Sequence, residues 1–496
     1  MNQGYEIEML CEVFGSACEQ FECLAWQLQC ETTATMEHGQ VEALIFSEGL
    51  ELLRRLFQAH LDVRSEREVQ RESVLGADGI RRTLCRYGCE RNLMSRFGEV
   101  SVRRRGYSAP GADSLFPLDG QLNLPCDKYS DGLRYLAAGE VASQSFDETV
   151  ESIQQKTAGK IPKRQIEQIS ARVSVDFDDF YSQATDPEGV SDLLVVTTDG
   201  KGIVMCQEDL RPATRKAAQE HRDEPCARLQ PGQKSNRKRM ATVAAVYSIE
   251  PEQRTAEQIM GHPTEPSARP RATNKRVWAS VQKDPDEVIR AAIEEALCRD
   301  PTQNRHWVIL VDGQEHQLEL ILSLTEPYTA QMTLVLDFIH VLEYLWKAAY
   351  CFHVVGSKEA EQWVGERALE ILRGNAAAVA AEMCRSATSM QLSANKRKAV
   401  DKCANYLEKY LPILQYDRFL SQGLPIATGV IEGACRHLIK DRMDKTGARW
   451  RLKSAEAVLR IRSLRSSGDL KDYWRFHRKQ EHHRNHVCRY AEALAA

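Results

Sequence analysis

The sequence predicts an α/β protein whose mixed-sheet core carries an all-helical insertion and is joined to mainly helical N-terminal segments. Three observations predict it. Apolar runs of strand length (LLVVTTDGKGIVMC, RMATVAAVYSIE, HWVILVDG, MTLVLD) fall between residues 193 and 337, with the helical pattern DEVIRAAIEEALC among them. A long helical pattern then runs from His340 to about Gly429. Finally, Asp199, Asp312 and Asp337 each close one of the apolar runs. At 496 residues the chain exceeds what one hydrophobic core serves, so several domains are expected.

Residues 1–80 read as helices rich in Glu and Leu, as in EALIFSEGLELLRRLFQAHLDV. Residues 81–126 change character: NLMSRFGEVSVRRRGY alternates around a Phe-Gly turn, predicting a small β unit whose strand carries Arg103, Arg104 and Arg105. Such a strand is either a solvated edge or a contact for phosphates. Residues 127–185 are helical, and FDETVESIQQKTAGKIPKRQIEQIS has the outline of a helix-turn-helix. Gly159 lies in its turn, Pro162 opens the second helix, and Lys163, Arg164 and Gln165 stand where base edges would be read. The same outline also occurs as a plain packing unit.

The core is assigned to residues 190–340. Its first run splits at Asp199-Gly200 into two strands, residues 207 to 239 read as a charged loop, and RMATVAAVYSIE supplies a third strand. Three strands, helix, strand, helix, strand, helix is the order of a ribonuclease-H-like α/β core, with the first three strands antiparallel and the others parallel. The insertion takes residues 341–425, and residues 426–496 hold the final core helix and a basic tail.

Charge is uneven. The net charge is −4, yet beyond Glu432 there are sixteen Lys/Arg against seven Asp/Glu. Such asymmetry permits a local DNA footprint. The fifteen cysteines contain no CxxC pair, and Cys85-x3-Cys89 has no second pair at zinc spacing, so reduced thiols are expected. No apolar run of membrane length and no export signal is evident, so a cytoplasmic location without membrane partners is expected.

Carboxylates that end neighbouring strands repel one another and are relieved by a divalent cation. Asp199 and Asp312 would share one ion, and Glu432, in TGVIEGACRHLIKDRM, would return across the sheet with a third oxygen ligand. Hard oxygen ligands suit Mg²⁺ or Mn²⁺, two ions lying roughly 3.5 to 4 Å apart. Taken singly, Asp199 and Asp312 are also ordinary turn residues, and Glu432 an ordinary exposed helix residue. Asp337 competes for the second acid role, or caps the helix that follows it. His340, three residues on, orients the site rather than binding metal. Lys440, Arg442, Arg449 and Arg451 lie close to Glu432 in sequence and would hold phosphates, while Trp450 either stacks on an unpaired base or packs in its own core. His482, His483 and His486 read as part of a solvated tail.

TDGKG, VDGQEH, LDFIHVLEYLW and GVIEGACRHLIKDRM resemble the signatures of bacterial insertion-sequence transposases of the Kra type, relatives of the Mutator-like superfamily. The resemblance spans about residues 85–480. It implies a ribonuclease-H-like catalytic domain with a helical insertion, Asp199, Asp312 and Glu432 as the acids, and Asp337 with His340 as an auxiliary pair. It also implies a nucleoid-associated DNA transposase that cuts element ends and joins a 3′-hydroxyl to target DNA, acting as a homo-oligomer. The cysteines that relatives carry after the equivalent of Tyr107 are missing in YSAPGADS. The alternatives are a non-catalytic, sequence-specific DNA-binding protein and a nuclease of the same core without joining activity.

Overall fold

In the computed structural model, the residues described are 13–183, 193–220, 236–261, 270–328, 331–427, 429–445 and 447–491. The chain divides into two compact units: residues 1–182 together with 469–496, and residues 183–468. The basic tail is thus split. Its last helix belongs to the N-terminal unit.

In the first unit, helices α1 (Gly15–Gln27) and α2 (His38–Glu66) precede the antiparallel strands β1 (Leu84–Ser95), β2 (Gly98–Ala109) and β3 (Ala112–Leu115). The β1–β2 turn closes on Gly98, whose φ of +121° favours glycine. Alternation then sorts β2 by face. Val100 and Val102 pack with Leu61, Leu93, Leu118 and Leu124, and Arg104, two residues further on, follows them inward. Its guanidinium pairs with Asp119 and lies 4.1 Å from the Phe116 ring centroid. Arg103, on the opposite face, is exposed beside Glu90 at 3.6 Å.

Helices α3 (Asp131–Val141), α4 (Phe146–Lys156) and α5 (Lys163–Val173) pack on one another. A Ser145–Glu148 capping box starts α4, and Pro162 is the N-cap of α5. Gly159 is required in the turn because a Cβ there would lie 2.8 Å from the Ser95 carbonyl oxygen. Ile166, Ile169 and Val173 form the buried face of α5.

The C-terminal helix Leu470–Asn485 is fastened to this unit by buried charge. Arg134 donates to both Glu481 oxygens at 2.6 and 2.7 Å; Asp176 takes His477 at 2.6 Å and Arg484 at 2.5 and 3.0 Å. His482 and His486 bond the carbonyls of Gly120 and Leu124, and His486 is buried, which corrects the solvated reading of these two histidines.

The second unit holds a five-stranded sheet. Its strands are β4 (Leu193–Val204), β5 (Lys238–Ile249), β6 (Thr273–Ser280), β7 (His306–Val311) and β8 (Met332–Leu336), in the order β8-β7-β4-β5-β6. β4, β5 and β6 are antiparallel, and β7 and β8 run parallel to β4. This is a mixed α/β unit with both antiparallel and parallel pairing.

Two strand assignments change. Asp199 and Gly200 do not form a turn: β4 continues unbroken to Val204, with Asp199 opposite Val243 and Gly200 opposite Thr242. The third antiparallel strand is Thr273–Ser280, which the sequence reading passed over because only Val277 and Trp278 in TNKRVWAS carry strong strand character. Within residues 207–239, expected to be a charged loop, Pro212–Glu220 is helical and residues 221–235 lie outside the described residues.

Helices α6 (Pro285–Arg299) and α7 (Glu315–Thr325) cross between strands. Buried Leu193, Leu194, Val195 and Val196 make β4 the apolar centre, each side chain worth about 1.5–3 kcal/mol. After Asp337 come α8 (Phe338–Phe352), α9 (Lys358–Leu372), α10 (Ala376–Ser389) and α11 (Ala394–Lys409); Glu432 lies on α12 (Gly429–Ala434), which is followed by a π-helical turn Cys435–Lys440 and by α13 (Leu452–Ser467). α13 covers the edge strand β6: Val277 N–H donates to the Ser467 hydroxyl at 3.0 Å, and Glu456 accepts from Ser280, Val281 and Gln282.

The buried network gives the first prediction. Burial raises the Glu481 carboxyl, but the Arg134 hydrogen bonds and charge outweigh it and leave the group below the usual range. Its stabilisation is therefore full above the ordinary Glu range and is lost as pH falls through the lowered folded value. Glu481→Gln should destabilise the first unit by about 3–5 kcal/mol at pH 7 and by progressively less towards acid, as read by urea unfolding at several pH values. An equal effect at pH 7 and pH 3 would contradict this role for the pair.

Candidate active site

Three aspartates arrive at one level because of strand register. In the parallel ladders Thr197 lies opposite Leu310, and Val311 opposite Leu336. Two residues beyond the first pair and one beyond the second, Asp199, Asp312 and Asp337 stand in a row, with neighbouring strands about 4.8 Å apart. β7 stops at Val311 and β8 at Leu336, while β4 runs on. Asp199 is therefore the one member inside a strand.

Each carboxylate is held differently. Asp199 accepts the Gly200 N–H at 2.6 Å and the Cys435 thiol at 3.1 Å. Asp312 accepts Gln314 N–H at 2.9 Å through Oδ1, and its loop is pinned by two tyrosines of the insertion: Tyr406 donates to the Asp312 carbonyl at 2.9 Å, and Tyr410 to the Gly313 carbonyl. Gly313 has φ +86°, which strains any L side chain, and a Cβ there would lie 3.0 Å from both tyrosine rings, so a substitution would also press on them. Asp337 is buried and is the N-cap of α8, accepting Ile339 N–H at 2.8 Å. Its own N–H extends the ladder to the Val311 carbonyl at 2.8 Å.

Glu432 is exposed on α12, which packs against β4, β5 and β6. One turn later Cys435 delivers its thiol to Asp199, so the helix of the third acid is tied directly to the first. Burial, and then the adjacent Asp199 charge, push the Cys435 thiol far up, so it remains a protonated donor. Among the described residues no three His, Cys, Asp or Glu side chains stand close enough to form a metal-holding group. The oxygen donors fit a hard cation in chemistry, and Asp199 and Asp312 fit it in level. Glu432 is not gathered with them into one group.

Beside Asp312 opens a cleft of about 540 Å³, bounded by the Gly313–Glu315 turn, α8 and α11. His340 lines it, and its buried Nδ1 has no hydrogen-bond partner among the described residues.

The basic segment sorts into outward and inward groups. Lys440, Arg449 and Arg451 are exposed, Arg451 lying 3.3 Å from Glu208. Arg442 is buried with its guanidinium 4.8 Å from the Trp450 ring centroid. Trp450 is buried too: its indole donates to the Met443 carbonyl at 3.0 Å, and its backbone bonds Val204 and Cys206 at the end of β4. Of the two roles for Trp450, packing in its own core is the one observed. Arg442 likewise supports the protein interior rather than offering a free cation. Arg462 is buried and donates to the Leu438 carbonyl; burial, with Arg442 nearby, lowers it to about 10.

In the first unit, Lys163 is exposed and paired with Asp147 at 2.6 Å, Arg164 is exposed, and Gln165 is half-buried. Arg105 packs over the Tyr87 ring at 4.9 Å and donates to the Glu68 carbonyl at 3.2 Å. Of the three arginines on β2, Arg104 faces inward, contrary to a phosphate-contacting role. The strand alternation already carried that signal. Cys435, Tyr406 and Tyr410 were not anticipated; the one-turn offset of Cys435 from Glu432 and the 406/410 spacing are their only marks in sequence.

No family model matches the chain, and no curated protein matches it. Solved structures that align include a Drosophila P element transposase strand transfer complex, at 9% identity and a TM-score of 0.23, covering 73% of this chain and 81% of that one. That superposition is too loose to carry an argument, so the functional reading rests on the residues.

The Cys435 geometry is testable. At pH 8 a thiol reagent should modify exposed Cys18, Cys23, Cys126, Cys298 and Cys488 while sparing Cys435 until denaturant is added. Rapid labelling of Cys435 in the folded protein, mapped by mass spectrometry, would show that the π-helical turn does not seal it against Asp199.

Proposed function

We propose that the chain is a DDE-type DNA transposase with a ribonuclease-H-like core, a relative of the Kra-type insertion-sequence enzymes, cutting element ends and joining the freed 3′-hydroxyl to target DNA. The observation that carries this reading is the Asp199–Asp312 row on neighbouring parallel strands, with the Glu432 helix tied to Asp199 through Cys435. Asp199, Asp312 and Glu432 would hold two Mg²⁺ or Mn²⁺ ions. The chemistry they would supply when bound is activation of an attacking hydroxyl and stabilisation of the leaving oxygen of a phosphodiester.

The chain's own residues do the rest. Tyr406 and Tyr410 fix the backbone that presents Asp312. Cys435 orients one oxygen of Asp199, and Asp337 is retained by its cap as a supporting group beside Asp312. Lys440, Arg449 and Arg451 supply cations for the DNA backbone on the Glu432 side. The α3–α5 cluster acts as a helix-turn-helix, with Lys163, Arg164 and Gln165 towards the DNA and Arg103 and Arg105 available on the β unit. Two ends must be held together, so a homo-oligomer acting on DNA in the bacterial cytoplasm is the working unit. Among the described residues no helix is long and apolar enough to cross a membrane.

One observation favours a second reading. Because the three acids are not gathered as a metal group among the described residues, a DNA-binding protein that uses only the first unit also fits. The two readings separate on a duplex carrying the repeats that flank the chain's own gene. With Mn²⁺ the protein should nick the ends and form strand-transfer products, and Asp199→Asn, Asp312→Asn and Glu432→Gln should each abolish both reactions while binding persists. Binding without cleavage in the parent protein would install the non-catalytic reading, and cleavage without joined products would leave a nuclease. Asp337→Asn, which keeps a capping oxygen, should retain measurable cleavage; complete loss there would move the second acid from Asp312 to Asp337.

A further inference from the structure

The insertion reaches the carboxylate row with more than tyrosines. On α8, His340, Glu343, Tyr344 and Lys347 fall on one helical face, and on α11 Lys402, Asn405, Tyr406 and Lys409 do the same; all of them line the cleft beside Asp312. Tyr344 and Tyr406 are stacked, with ring centroids 4.0 Å apart and planes inclined by 7°. Two ammonium groups converge on Tyr344, Lys347 at 5.2 Å and Lys402 at 5.8 Å from its centroid. Lys402 makes no ion pair with a carboxylate among the described residues, and Lys347 has only an exposed contact with Glu343 at 3.4 Å. Such an exposed pair contributes little and exchanges readily for another anion. Lys409 pairs with Glu315 at the opposite wall.

Cations set on a rigid aromatic stack, in an open cleft whose end is a candidate catalytic carboxylate, match a polyanionic strand threading past Asp312. We propose that this cleft binds the phosphodiester backbone of a single DNA strand, with Lys347 and Lys402 moving from the Tyr344 ring onto adjacent phosphates, Asn405 as a neutral donor, and Tyr344, backed by the buried Tyr406, as the surface against which a base then rests. A duplex is disfavoured because the stack is a platform for unpaired bases. The insertion is then part of the DNA path and not only a brace for the loop. This inference rests on the DNA-processing reading but does not need catalysis.

The test is a photocrosslink in EDTA. A 15-mer of thymidylate carrying 5-iododeoxyuridine is irradiated with the full chain, and crosslinked peptides are mapped. Crosslinks on α8 or α11, Tyr344 foremost, are expected. They should fall at least tenfold in the Lys347→Ala/Lys402→Ala double variant, persist in Lys402→Arg, and be unchanged in Lys358→Ala, a substitution at an exposed lysine outside the cleft. The salt dependence of this crosslink should also flatten by about 1.4 log units per log unit of salt in the double variant. Crosslinks confined to the first unit, no change in the double variant, or equal competition by duplex would overturn the proposal. Because no metal is present, a crosslink at Tyr344 in a protein that never cleaves DNA would remove only the catalytic reading. Cleavage by a protein with no crosslink on α8 or α11 would remove only this one.

Discussion

Strand register is the constraint on which the second unit turns. Backbone hydrogen bonds between β4, β7 and β8 leave each strand a fixed offset, and a slip of one residue would turn every buried side chain to the wrong face. The apolar content of Leu193–Val196 and Trp307–Val311 makes that slip costly. The same offset brings Asp199, Asp312 and Asp337 to one level, so the energy that packs the core also places the acids. Carboxylates so arranged would be a liability without compensation, and the protein handles them separately. One receives a thiol, one receives backbone N–H from its own loop, and one is spent as a helix cap.

The insertion shows how a remote segment can set local geometry. Gly313 sits in a backbone conformation that suits glycine, and the tyrosine rings lie close enough to press on any side chain placed there. Burial holds the Tyr406 hydroxyl in its neutral form, so it remains a hydrogen-bond donor to the Asp312 carbonyl across any ordinary range of pH. The loop is thus clamped from outside the sheet. Strand-end loops are usually tuned by their own residues; here that control is delegated to a helix more than ninety residues away.

How much of this could be read from sequence depended on whether the signal was local. The strand character of HWVILV and MTLVL, the cap at Asp337, the turn at Gly159 and the helix opened by Pro162 were legible, because each is decided within a few residues. Asp199-Gly200 misled because an Asp-Gly pair is a turn signal in isolation, whereas the partner strand Lys238–Ile249 keeps it extended. Thr273–Ser280 escaped because its strand state comes from pairing with β5 and cover from α13 rather than from its own composition. At the site, Asp312 and Asp337 were legible as carboxylates following a strand, whereas Asp199 lies inside β4 and Glu432 on a helix. Cys435, Tyr406 and Tyr410 were not legible, since their meaning arises only when distant segments meet. Arg104 and Trp450 have side chains suited to nucleic acid and are used for packing, an outcome left open in sequence for Trp450 and not foreseen for Arg104.

The pairing of Arg134 with Glu481 spans 347 residues, and this gives the molecule an order of assembly. Synthesis proceeds from the N-terminus at about 5–20 residues per second, so a newly made Arg134 waits on the order of tens of seconds for its carboxylate. Throughout that interval the whole second unit emerges and can fold. The first unit, although begun first, is completed last. A polypeptide ending before residue 470 would leave Arg134 without Glu481 and Asp176 without His477 and Arg484. Half-made chains would then expose their charged interior to cellular quality control, and only finished chains would present a completed first unit.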